Sequence, residues 1–152
     1  MRGNGYQKQI DNVVGTMAKN KKEYISNTLE ELIGKGNLEI IKQSFATDYI
    51  VHAGSKEYKG HSFLKRFTGQ LRSAIPDVRI VNVKFLAEDK ATIVWQRRLK
   101  GTHKVEMKGI PASGKKVEWV DMVVSRFNAD KITEEWVVSE LMGELLLKVS
   151  RE

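Results

Sequence analysis

The chain has 152 residues, no cysteine and a formal charge of +7, so it fits one domain whose core must hold without disulfides or thiolate chemistry. No apolar run reaches the length of a membrane span and the N-terminal region is polar rather than signal-like, so a cytoplasmic soluble protein is expected, with no membrane partner. More than half of the basic excess sits in Arg2, Lys8, Lys19, Lys21 and Lys22 against Asp11 alone, and no nucleic-acid-binding motif accompanies it, so a solvated basic surface and no specific nucleic-acid partner are expected.

Residues 1–22 read as a basic leader, in which Ile10, Val13, Val14 and Met17 offer a short docking helix, and residues 23–152 as a single domain. Ile25, Leu29, Leu32 and Ile33 recur at helical spacing from Lys22 to Gly34. Lys35-Gly36-Asn37 then breaks the helix, and Asn37 offers a cap for a second one, LEIIKQSF. After the apolar Tyr49-Ile50-Val51, the stretch HAGSKEYKGHS from His52 reads as a loop leaving a pocket wall. His61-Ser62 opens a third helix on Phe63, Leu64, Phe67 and Leu71, which ends before Pro76 because proline disfavours helical geometry in the residue preceding it.

Beyond Pro76 the pattern turns to the alternation of strands: VRIVNVKFL, ATIVWQRRLKGTHKVEMKG, KKVEWVDMVVSRF and ITEEWVVSEL, separated by turns at residues 88–90 and 128–131. Helices followed by a meander of strands predict an α+β domain, a cone-shaped bent antiparallel β-sheet packed on N-terminal helices. The concave face of such a sheet is either filled by side chains or left partly open as a pocket.

The succession DYIVHAG, AIPD, GTH, GIPASGKKV, SRFNADKI and EEW resembles the SnoaL-like polyketide cyclase (ester cyclase-like) family of the nuclear transport factor two-like fold, from about Leu29 to Lys148. The resemblance implies a hydrophobic pocket that takes a small hydrophobic molecule, in which a carboxyl group shuttles a proton during aldol-type ring closure, with no metal or organic cofactor. It also implies a homodimer or higher homo-oligomer. The family's shuttle stands four residues after the tryptophan near the C-terminal strand. That tryptophan is Trp136 here, and the matching position is Glu140, a glutamate where the family usually has aspartate. A non-catalytic ligand-binding protein of the same fold is the alternative.

The residues support several candidates. In ITEEWVVSELM, alternation places Trp136, Val138 and Glu140 on one face, which puts a carboxyl among apolar groups; otherwise the strand has already ended and Glu140 opens the final helix in solvent. In VEWVDMVV, Asp121 interrupts the row of Val117, Trp119 and Val123, facing either the pocket or the outside. Trp95 and Arg97 share a face; if it is concave, Trp95 lines the pocket and Arg97 stabilises an oxyanion or pairs with a carboxylate. His52, matching the family's histidine after the tyrosine, is placed on the inner wall as a catalytic candidate. His103, in the GTH motif, is either a second one or a turn residue at the rim. The three histidines lack zinc-site spacing, so no metal is expected. Arg126 is expected to pair with an acid such as Glu135.

Overall fold

The computed structural model describes residues 20–149, so the leader and its docking helix lie outside the described residues. Helix α1 (Lys21–Leu29) runs without a break into a π-helical turn (Glu30–Gly34), and a short α2 (Ile40–Ser44) leads directly into the sheet. The strands are β1 (Phe45–Ala53), β2 (Lys56–Lys59), β3 (Arg79–Glu88), β4 (Thr92–Thr102), β5 (Lys116–Asn128) and β6 (Lys131–Ser139). Helix α3 (Gly60–Ala74) sits between β2 and β3, and α4 (Leu141–Lys148) follows β6. Among the described residues, no helix is long and apolar enough to cross a membrane.

The predicted stripe of α1 is the one that packs: Ile25, Leu29, Leu32 and Ile33 are all buried. The wide turn at residues 30–34 was not foreseen from that stripe. Arg72 of α3 holds its end by donating to the carbonyls of Ile33 and Gly34. Asn37 does not cap α2 as expected: Glu39 holds the N-cap position without a side-chain bond, and Asn37 Oδ1 instead accepts from the Glu39 N–H at 3.2 Å in the turn that leads into the helix. Helix α3 ends where Pro76 demands it and buries Leu64, Thr68, Leu71 and Ala74.

The six strands form one sheet in the order β2-β1-β6-β5-β4-β3. All ladders are antiparallel except β1 against β6, which is parallel. Register shifts in β1, β3 and at the β5–β6 turn bend the sheet, because an extra residue on one strand increases twist locally. The imidazole of His61 braces the irregularity in β1, lying 2.9 Å from the Phe45 carbonyl and 3.0 Å from that of Ala46.

Two elements differ from the expectation. The stretch from His52 is a hairpin rather than a loop, since β1 and β2 pair from Ile50–Lys59 to Ala53–Lys56. The long segment 91–109 is strand only to Thr102. There the buried Gly101 lies against Ile75 and Val78, and Asp77 takes the Thr102 N–H and hydroxyl at 2.6 and 2.8 Å. The chain then turns away, and the Lys104 and Val105 N–H groups both donate to the Ala74 carbonyl.

Candidate functional site

The polar interior of the sheet is built on β4, β5 and β6. Strict alternation along β4 turns Ile93, Trp95, Arg97 and Leu99 inward, and along β5 it turns Val117, Trp119, Asp121, Val123 and Ser125 inward. Strand β6 departs from that rule. Ile132 pairs with Phe127, but Glu134 pairs with Arg126, so Thr133 is an extra residue. A one-residue slip exchanges the faces of everything beyond it. Glu135 and Val137 therefore point inward beside Ser125 and Val123, while Glu134, Trp136 and Val138 point outward.

The inward turn creates a connected network. The Trp95 indole N–H donates to Ser125 Oγ at 2.9 Å, the Ser125 hydroxyl donates to one oxygen of Glu135, and the Tyr49 hydroxyl donates to the other at 2.7 Å. Burial pushes the Glu135 carboxyl above its ordinary range, and the Ser125 and Tyr49 hydroxyls and the charge of Arg97 only hold back that rise. Tyr49 is pushed well up by its own burial and by Glu135, so it remains a proton donor. Arg97 donates through Nε to Asp121 Oδ2 at 2.7 Å, forming an ion pair that is almost wholly enclosed. A cavity of about 40 Å³ lies against this network, walled by Ile25, Leu29 and Ile33 on one side and by Trp95, Arg97 and Glu135 on the other.

Three further polar groups are buried without a hydrogen-bond partner among the described residues: the second oxygen of Asp121, the Thr68 hydroxyl on α3, and both ring nitrogens of His103. A buried polar atom without a partner is costly, which sets these three groups apart from the satisfied network around Glu135. His103 is thus neither a rim residue nor exposed; it is fully enclosed just beyond β4.

The structure separates the sequence candidates into two faces. Trp95, Arg97, Trp119 and Asp121 share the interior, which settles the open question about their face. Trp136, Val138 and His52 do not share it, and their expected place on the inner wall is corrected. Val138 is 72% exposed, and His52 stacks on Trp136 at 5.1 Å on the outer face with its Nε2 2.7 Å from Glu134. The reason is the extra residue at Thr133 on one strand and, on β1, the inward places taken by Tyr49 and Val51. Glu140 follows the second of its two readings: it is exposed, stands at the N-terminus of α4, and accepts from the Val120 N–H at 3.3 Å. Arg126 pairs with Glu134 at 2.8 Å rather than with Glu135, again because of the slip. Tyr49, Ser125 and Thr68 were not singled out from the sequence, and Glu135 was named only as a partner for Arg126. The only local signal for Glu135 was its shared parity with Val137.

Among the described residues, no group of His, Asp and Glu side chains is placed to hold a metal ion.

A bent sheet folded over helices, with ionisable side chains enclosed on its concave face, defines a class of small α+β proteins. The SnoaL-like polyketide cyclase family model matches residues 23–146, and the chain belongs to that family. No curated protein matches it in sequence. Among solved structures, AclR from Streptomyces galilaeus, assigned as a hydroxylase, is 24% identical with a TM-score of 0.72, covering 86% of this chain and 95% of its own. A protein from Acidithiobacillus ferrooxidans assigned as a polyketide cyclase is 23% identical with a TM-score of 0.70, covering 83% and 92%. A SnoaL-like polyketide cyclase from Agrobacterium tumefaciens is 19% identical with a TM-score of 0.66, covering 83% and 96%. These likenesses establish the nuclear transport factor two-like fold.

Proposed function

We propose that the protein is a cyclase- or isomerase-type acid–base catalyst that acts on a small apolar carbonyl compound without a cofactor, with Glu135 as the proton shuttle. One observation carries this reading: a carboxyl group with a raised pKa faces a mainly apolar cavity, held by two hydroxyls and beside a guanidinium. Such a group suits general acid–base work near neutral pH, because its affinity for a proton is closer to the working pH than that of a solvated carboxyl. Glu135 takes the proton from the carbon next to a carbonyl. Arg97, on the same cavity wall, stabilises the negative charge that develops on oxygen. The enolate attacks a second carbonyl, and the protonated Glu135 returns its proton to the alkoxide formed on ring closure, which leaves Glu135 as it began.

The cavity admits a few water molecules rather than a medium-sized organic molecule, for which some 300–1,000 Å³ is usual. Substrate entry therefore requires α1 and the π-helical turn to move off the sheet. The same small volume favours a second reading, a binding protein of this fold in which the Glu135 network only orients a ligand.

The test begins with a thermal-shift screen of β-dicarbonyl and polycyclic compounds, followed by turnover of the hits. Glu135→Gln should lower turnover by ~10²–10⁴-fold while binding persists. Glu140→Gln, on the outside, should leave turnover unchanged. A genuine substrate turned over equally well by Glu135→Gln removes Glu135 from the mechanism; ligands that bind but are never converted favour the second reading.

A homodimer is part of the same proposal, supported by the apolar outer patch where Met122 neighbours Val138 and Val124 neighbours Trp136 across β5 and β6. Sedimentation should show a dimer that Val138→Lys dissociates.

A further inference from the structure

Away from the interior, α3 and the chain beyond β4 enclose a surface groove of about 480 Å³. One wall is the exposed face of α3, where Lys65, Arg66, Gly69, Gln70 and Ser73 follow at helical spacing; the other is formed by Glu106, Met107 and Lys108. The second wall is firmly held. The Lys104 and Val105 N–H groups donate to Ala74 at the end of α3, and Met107 and Ile110 bridge each other and bury their side chains. Three cations thus face one carboxylate, and that carboxylate already accepts from the Gly109 N–H. Among the described residues, Lys65, Arg66 and Lys108 form no ion pair.

Gly69 gives the second observation. Glycine inside a helix is destabilising relative to alanine, and a Cβ at Gly69 would meet nothing within 4 Å, so packing does not require it. Gly69 and Ser73, one turn apart on that wall, leave open space between the longer side chains.

We propose that this groove binds a small phosphate-bearing molecule. Lys65, Arg66 and Lys108 hold the phosphate, and the rest of the molecule lies over Gly69 toward the amide of Gln70 and the hydroxyl of Ser73. The volume falls in the range of small-ligand sites. The groove shares no lining residue with the cavity at Glu135, so this assignment stands independently of the proposed proton shuttle.

The test uses the full chain with inorganic pyrophosphate and adenosine diphosphate as probes, in low salt, by calorimetry and amide shift mapping. Saturable binding of at least one probe is expected, with shifts confined to residues 65–73 and 106–109. Arg66→Glu and Lys108→Glu should each weaken it at least ~10-fold, whereas Lys56→Glu, the same charge change on the exposed β2, should leave it within about twofold. Gly69→Gln should fill the groove and weaken binding at least ~10-fold while the melting temperature stays at or above that of the parent, since glutamine is the better helix former. An effect of Lys56→Glu equal to that of Arg66→Glu would show a diffuse field and overturn the assignment, as would shifts outside the groove or no saturable binding. A single-stranded oligonucleotide that displaces either probe at lower concentration would replace the small ligand by a nucleic acid.

Discussion

Replacing Arg97 by methionine keeps the apolar stem of the side chain and removes the charge that faces two enclosed carboxyl groups. Arg97 Nε lies 2.7 Å from Asp121 Oδ2, and the other Asp121 oxygen has no partner among the described residues, so the variant removes the charge that compensates a buried acid. Removing one member of a buried ion pair costs about 3–5 kcal/mol. In a protein of this size each kcal/mol lowers the melting temperature by roughly 2–4 °C, so a fall of ~6–20 °C is expected at pH 7. The stacking of the guanidinium near the Trp95 ring, 5.7 Å from its centroid, adds to the loss. The pairing also has a signature that packing alone lacks: adding Asp121→Asn to the variant should recover at least ~2 kcal/mol, since the second change removes the uncompensated charge. Urea and thermal unfolding of the parent, the two single variants and the double variant would measure this cycle. A loss below ~1 kcal/mol for Arg97→Met, or strictly additive changes, would refute the argument that the pair is an enclosed and coupled unit.

Two further outcomes follow from the same interior. The Glu135 carboxyl binds its proton more tightly folded than unfolded, so the folded state holds the extra proton from about pH 4.5 upward. Its contribution to stability therefore falls as pH rises through that window and levels off above the folded pKa. Glu135→Gln removes this term, and melting curves from pH 4 to 9 should show the parent losing ground to the variant as pH rises; parallel profiles would contradict the burial argument. At the far end of β4, a Cβ on Gly101 would stand 2.2 Å from Ile75 Cγ2 and 3.2 Å from the Val78 Cα, so Gly101→Ala should cost about 1–3 kcal/mol through overpacking. An unchanged melting temperature would show that the end of α3 yields easily.

Periodicity alone was enough for the elements whose pattern never breaks. The stripe of Ile25, Leu29, Leu32 and Ile33 marked α1, Pro76 closed α3, and the rows through Trp95–Arg97–Leu99 and Trp119–Asp121–Val123 marked two long strands with their shared faces. Helices ahead of such strands led to the α+β class and the bent sheet, and the motifs from DYIVHAG to EEW led to the family. Half of the candidate site was therefore legible: Trp95, Arg97, Trp119 and Asp121 belong to unbroken rows, and only the direction of the inner face was open.

The other half depended on partners distant in the chain. Alternation is a local property of one strand, but register is set by the strand opposite. The extra residue at Thr133 appears only when β6 is laid against β5, and it turns Glu135 inward and Trp136, Val138 and Glu134 outward. Strand β1 was similarly hidden, because Thr47, Asp48 and His52 dilute its apolar signal until pairing with β2 and β6 gives each backbone group a partner. The composition and local order of the chain were sufficient to name the layers of the fold. Which carboxyl of β6 reaches the interior was decided by one unpaired residue in a ladder between strands, a contact that local periodicity does not encode.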